Sequence, residues 1–345
     1  MATTISEPAT SNITIILNTV YAPVCDMPHE MAESVGFAFN IVIIPIVSFF
    51  GIVGNVLTIV ILKYNGLNES TNIILTGLAV GDLFFSVTQF FPVIPRCMNS
   101  ALAESMFNYY AVYIYGWNQY AVCISIHMVT LIALERMIAV CFPFRVSTLL
   151  TPYRIKCIVI AIYFSDAILY IPRDFMREIK WTFFSSSNST IAIQVSTDFL
   201  KSNGFTIYND GIISTIAIFI PTTTIIVCSI MITTKLTLSY RNIKKLSSSD
   251  ARSKRVKDVR SVKITLIICL FVIICVLAPT NIFNKILNDR NLFSGYCVFV
   301  LISVVFLIYQ INASVNFIIY VAMSPKFVKT FRLIFLCAVS ILRNN

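Results

Sequence analysis

Polar and apolar positions alternate along this chain in long blocks. Seven blocks are almost wholly apolar, and short polar segments separate them. They run roughly from Phe37 to Leu62, Ile73 to Ile94, Tyr109 to Phe142, Ile155 to Ile171, Gly211 to Thr234, Val262 to Leu287 and Phe293 to Met323. A helix crossing a hydrocarbon core about 30 Å thick needs about 20 mostly apolar residues, each rising about 1.5 Å. The pattern therefore predicts an all-α fold, a seven-transmembrane helix bundle over 37–323, between an N-terminal segment 1–36 and a tail 324–345. The fourth block is the weakest, being short and containing Asp166. Pro221 and Pro279 fall inside the fifth and sixth blocks. Each removes a helix hydrogen bond and permits a kink, either static or hinged. In the tail, Ser324 and Pro325 supply an N-cap and a first-turn proline. Phe327, Phe331, Ile334 and Phe335 then form one face, predicting a short amphipathic eighth helix on the membrane surface. Cys337 lies at its end, placed for palmitoylation.

Composition supports a lipid environment. Hydrophobic residues make up 57% of the chain, charged residues 12% and the mean hydropathy is +0.82, whereas soluble domains carry about 25% charged residues. A net charge of +10 raises nucleic acid as a partner, but that needs basic residues on a wet face. Here they cluster between apolar blocks, so nucleic acid is excluded and the bilayer is the expected partner. Basic residues near a span resist translocation. An N-terminus outside leaves Arg96, Arg173, Arg177, Lys180, Lys201, Lys285 and Arg290 outside and every other lysine and arginine inside. The sequons at Asn12 and Asn188 then face outward as glycosylation candidates, and the one at Asn68 stays bare. The 1–36 segment has no cleaved-signal pattern, so the first block is expected to do the targeting. The basic inner stretch from Thr234 to Arg260 reads as helix extensions around a flexible loop, anchoring to anionic lipid, docking a partner, or both. Most cysteines sit in apolar blocks as small hydrophobes. Cys25, Cys97 and Cys297 look lumenal.

A carboxylate at bilayer depth is costly, so Asp82 in the second block is a functional candidate. Asn55, Ser125, Asn312 and Asn316 offer polar groups at comparable depth. Together they can hold a hard cation such as sodium, join in a water network, or glue helices together. Glu135 and Arg136 end the third block. There the arginine either snorkels to the interface or meets a partner from the cytosol. The two histidines, His29 and His127, form no metal-ligand cluster with neighbours in sequence, and neither a P-loop nor a catalytic pair of carboxylates appears. Enzymatic activity and a metal centre are therefore not expected. An ion channel or transporter using Asp82 is the alternative function, although no repeat or pair of interrupted spans points to it.

In joint order and spacing, Gly54-Asn55, Leu78-Ala79-Val80-Gly81-Asp82, Glu135-Arg136-Met137 and Asn316-Phe317-Ile318-Ile319-Tyr320 resemble the motifs of rhodopsin-like (class A) G-protein-coupled receptors. The resemblance extends from Phe37 to Phe335. Ala133-Leu134-Glu135-Arg136, Pro143-Phe144-Arg145-Val146 and the stretch Asn312 to Ser324 look similar to molluscan chemosensory receptors and invertebrate peptide receptors. This implies a plasma-membrane receptor for an extracellular ligand, a chemosensory small molecule or a peptide, that activates a heterotrimeric G protein. It places Asn55, Asp82, Ser125, Asn312 and Asn316 in an allosteric sodium pocket and Glu135, Arg136, Tyr320 and Pro279 in the coupling switch. Asn118, Tyr115, Phe283 and Phe306 become candidate ligand contacts. Departures from the family pattern are Phe317 for proline, Met137 and Ser229 for tyrosines, and Leu277 for tryptophan. Ala111 stands where the family has a cysteine, so its usual disulfide cannot form, and a bridge from Cys25 to Cys297 is expected in its place. Asn118 and Gln310 stand where aminergic receptors carry aspartate and opsins carry lysine, which disfavours monoamine and retinal ligands.

Overall fold

A computed structural model of the chain describes residues 27–91, 101–184, 189–243, 262–277, 279–280 and 295–344. Asn12, Cys25, Cys97, Asn188 and Phe283 lie outside them, as do the side chains of Tyr115 and Cys337. Six helices among the described residues are long and apolar enough to cross a membrane, and a shorter apolar one covers Val262–Val276. The membrane helices are α1 (His29–Tyr64), α2 (Ser70–Phe90), α3 (Ala101–Tyr113 continuing as Tyr115–Cys141), α4 (Pro152–Tyr170), α5 (Ile207–Phe219 continuing as Ile220–Ile243), α6 (Val262–Val276) and α7 (Gly295–Met323). They form a seven-helix bundle, with α8 (Pro325–Asn344) after it. α1 packs on α2 and α7, and α3 sits centrally against α2, α4 and α5.

The side chains sort by solvent. Ile74, Leu78, Phe85, Ile124, Met128 and Ile132 fill the interior, whereas Phe49, Phe50, Phe164 and Phe219 stand on the outer faces, as apolar residues do when lipid rather than water surrounds the bundle. Helices in lipid gain contact chiefly through close packing, which small residues allow. A Cβ at Gly81 would come within 2.8 Å of Ile124 Cγ2, and one at Gly54 within 3.0 Å of Phe317 Cβ. Those two glycines admit α3 to α2 and α7 to α1.

Three stretches widen into π turns: Ala38–Ile43, Ile207–Phe219 and Ile273–Leu277. Each ends two residues before a proline, namely Pro45, Pro221 and Pro279. Proline has no N–H to give the carbonyl four residues back, and its ring crowds that carbonyl. A wider turn relieves the crowding and re-pairs the ladder. The two prolines noted in the sequence thus act on the turn before them.

Some boundaries differ from those the apolar blocks suggest. α1 starts at His29, about two turns ahead of Phe37. α3 breaks at Ile114, where Trp117 N–H bonds the Ile114 carbonyl at 3.0 Å in a tightened turn. Gly116 lies there, and a Cβ on it would be 3.3 Å from Asp174 Oδ1, so the glycine lets the turn Ile171–Phe175 after α4 come close. The following segment, expected to be a loop, forms an antiparallel hairpin of β1 (Arg177–Phe184) and β2 (Ser189–Ser196), with Arg177 opposite Ser196 and Phe184 opposite Ser189. Ser105 Oγ accepts from the Ala192 N–H (3.1 Å) and Asn108 donates to the Ala192 carbonyl (2.9 Å), pinning β2 on the first segment of α3.

α8 begins as its sequence suggests: Ser324 Oγ accepts from Phe327 N–H at 3.3 Å. Phe327 is buried, and Thr330 bonds Asn65 at 2.8 Å, joining α8 to the end of α1.

Candidate functional site

Three polar sites interrupt the apolar interior. The first is Asp82, which is fully buried on α2. Ser125 of α3 donates to its Oδ1, and Asn316 of α7 donates to its Oδ2 at 2.7 Å. A buried carboxylate with each oxygen hydrogen-bonded avoids much of its desolvation cost. Asn55 does not join it: its amide bonds the Ala313 carbonyl at 2.9 Å and fastens α1 to α7. Asn312 is buried one turn before Asn316 on α7. The donors on Asp82 are a hydroxyl and a carboxamide, oxygen-bearing groups of the kind a hard cation selects.

The second site lies at the end of α3. Arg136 Nε is 2.8 Å from Glu135 Oε2, Arg136 Nη2 donates to Thr71 Oγ1, and Thr71 donates to Glu135 Oε1 at 2.8 Å. These three side chains close a ring across α2 and α3. Thr71 was not a sequence candidate, since a lone threonine at the start of an apolar block carries no signal. Tyr320 lies on α7 with its ring 5.7 Å from Phe327. Its buried hydroxyl has no hydrogen-bond partner among the described residues. An unpaired buried hydroxyl is costly, so this tyrosine is better satisfied in an arrangement that gives it a partner. Phe317 also packs on Phe327 and Phe331 at 5.8 and 5.9 Å, so the residue in the proline position helps seat α8. Pro279 is buried just after the α6 π turn, and Thr280 beside it meets the Tyr309 hydroxyl at 2.8 Å.

The third site is a narrow cavity among α3, α4, α5 and α6, lined by Gln119, Cys123, Arg173, Asn209, Ser214 and Thr280 among others. Arg173 lies 5.2 Å above the Tyr170 ring and donates to Asn209 Oδ1 at 2.9 Å. Its Nε and the Gln119 amide nitrogen are buried without acceptors among the described residues. Of the sequence-derived ligand contacts, Asn118 is fully buried and committed: it accepts from Thr88 and donates to the Tyr110 hydroxyl at 2.7 Å. Phe306 packs in the core, 6.2 Å from the Tyr309 ring. Neither lines this cavity.

Beside the cavity, His127 Nδ1 lies 2.9 Å from Asp166 Oδ2 and 3.4 Å from Cys123 Sγ. The sequence led us to expect no metal-ligating cluster and to treat Asp166 as a flaw in the fourth block. The structure brings Asp166 together with His127 and Cys123. Cys123 and His127 share a face of α3 at i, i+4 spacing, but which residue of α4 faces them is set by helix packing and is not visible in the sequence. Cys297, at the start of α7, is buried and disulfide-bonded, and its partner lies outside the described residues. Cys123, Cys141, Cys157, Cys228, Cys269 and Cys275 are free.

Known proteins share this architecture. Over 313 residues the chain is 27% identical to a protein of Drosophila melanogaster named FMRFamide receptor, covering 85% of this chain. The chain spans 53% of that relative's length. Residues 54–320 match the family described as 7 transmembrane receptor (rhodopsin family). That region runs from the glycine packed on Phe317 to Tyr320 and takes in the Asp82 site, the Arg136 ring and the cavity. The chain is therefore a multi-pass membrane protein and belongs to the rhodopsin family of seven-transmembrane receptors.

Proposed function

We propose that this chain is a plasma-membrane receptor, with its N-terminus extracellular, that binds a peptide at the hairpin end of the bundle and activates a heterotrimeric G protein at the Arg136 end. The observation that carries this reading is the Glu135–Arg136–Thr71 ring. It holds the one cation at that end of α3 in a closed arrangement that a partner can replace. Arginine suits such exchange because its fork can re-form equivalent bonds with backbone carbonyls or carboxylates of a docking segment.

Peptide is favoured over other ligands on two grounds. The relative above is named for a peptide. Gln119 Nε2 and Arg173 Nε are buried donors without acceptors among the described residues, and the backbone carbonyls of a peptide supply acceptors at close spacing. Ligand binding then favours a state in which α6 moves about the π turn at Pro279 and Arg136 leaves its ring, to the extent that the ligand binds that state more tightly. Asp82, Ser125, Asn312 and Asn316 fit a sodium ion by donor chemistry. Bound there, it would compensate the carboxylate's charge. A Cys25–Cys297 bridge, glycans on Asn12 and Asn188, and a palmitoyl group on Cys337 complete the proposal.

The test is ligand-driven nucleotide exchange in cells. Arg136→Ala is expected to abolish exchange while surface expression persists, and unchanged exchange would remove Arg136 from the switch. An epitope tag between Ser247 and Ser249 should be inaccessible on intact cells. Detecting it there would reverse the orientation.

A further inference from the structure

The Cys123–His127–Asp166 cluster takes no part in the proposed switch or in the Asp82 site. Its three potential ligand atoms, a sulfur, a ring nitrogen and a carboxylate oxygen, lie within 4.8 Å of one another. They come from two helices, α3 and α4, and both Cys123 and Asp166 are buried.

The histidine's second nitrogen is the telling detail. His127 Nε2 lies 3.3 Å from the Ile216 carbonyl, and a carbonyl only accepts, so Nε2 carries the proton. Nδ1 is therefore the nitrogen that faces the thiol and the carboxylate. Metal-bound histidines have this arrangement, one ring N–H donated to a backbone carbonyl while the other nitrogen meets the metal. Ile216 lies within the widened turn Ile207–Phe219 of α5. The cluster is thus oriented from a third helix.

We propose that Cys123, His127 and Asp166 form a binding site for a zinc-class divalent cation. A mixed sulfur, nitrogen and oxygen set selects zinc over calcium or magnesium, which take oxygen ligands. Three protein ligands leave a fourth position for water, and Cys123 also lines the cavity, which provides access. A thiolate, a carboxylate and a neutral imidazole would balance a bound dication to net charge zero, which favours occupancy inside an apolar span.

The test uses the full chain, purified metal-free in lipid nanodiscs and titrated with cobalt(II), a spectroscopic stand-in for zinc. A thiolate-to-cobalt charge-transfer band should saturate at one equivalent and vanish on adding zinc. Cys123→Ser should abolish it. Cys157→Ser, which removes an exposed thiol of α4 outside the cluster, should leave it intact and controls for folding. Asp166→Asn should weaken binding about 100-fold. A wild-type protein that shows no band at stoichiometric cobalt, or a band that survives Cys123→Ser, overturns the proposal. In that case the cluster is only a hydrogen-bonded tie between α3 and α4.

Discussion

Asp82 and Asp166 are both buried within the membrane helices, and they are stabilised in different ways. Asp82 has two neutral partners on two helices, Ser125 and Asn316, one for each oxygen. Asp166 leans on His127, a partner that can itself gain or lose a proton, with a thiol next to it. Loss of one neutral partner leaves Asp82 with the other. Loss of the imidazole takes from Asp166 the basic group it is paired with. A carboxylate shared among neutral donors should therefore tolerate single substitutions better than one tied to a single basic group.

Stability measurements on the purified receptor can break or sharpen this comparison. The largest effect is expected for His127→Leu, which strands Asp166 in an apolar setting and should cost about 3 kcal/mol of unfolding free energy. Asn316→Leu should cost less, about 2 kcal/mol, because one hydrogen bond to the carboxylate is lost while Ser125 remains. Equal losses for the two variants would erase the distinction between the sites. The smallest effect should come from removing a whole pair. His127→Leu combined with Asp166→Leu should unfold within about 1 kcal/mol of wild type, since the desolvation of both groups disappears together. A double variant as unstable as His127→Leu alone would mean that the cavity left behind, not the stranded charge, sets the cost.

Much of this fold is legible in the sequence because lipid imposes simple rules. Apolar run length locates the spans, and the rarity of polar residues inside them singles out Asp82, Ser125 and Asn316, which the structure brings together. What the sequence does not reveal is how the helices are rotated against each other. Asn55 lies at the right depth but turns to the Ala313 carbonyl, and Asn118 is consumed by Thr88 and Tyr110. Thr71, which closes the arginine ring, and Asp166, which faces His127, gain their meaning only from packing between helices. The β1–β2 hairpin was missed for another reason. Its strands are short, and search for membrane-length runs passes over the alternation in Ile191-Ala192-Ile193-Gln194-Val195.

Phe317 replaces a proline, and α7 runs unbroken from Gly295 to Met323. With every amide in that stretch able to join the ladder, α7 behaves as a stiff rod clamped to α8 by edge-to-face ring contacts and wedged against Gly54. Bending compliance in this receptor is thereby shifted away from its seventh helix and onto the loosened turns of its fifth and sixth.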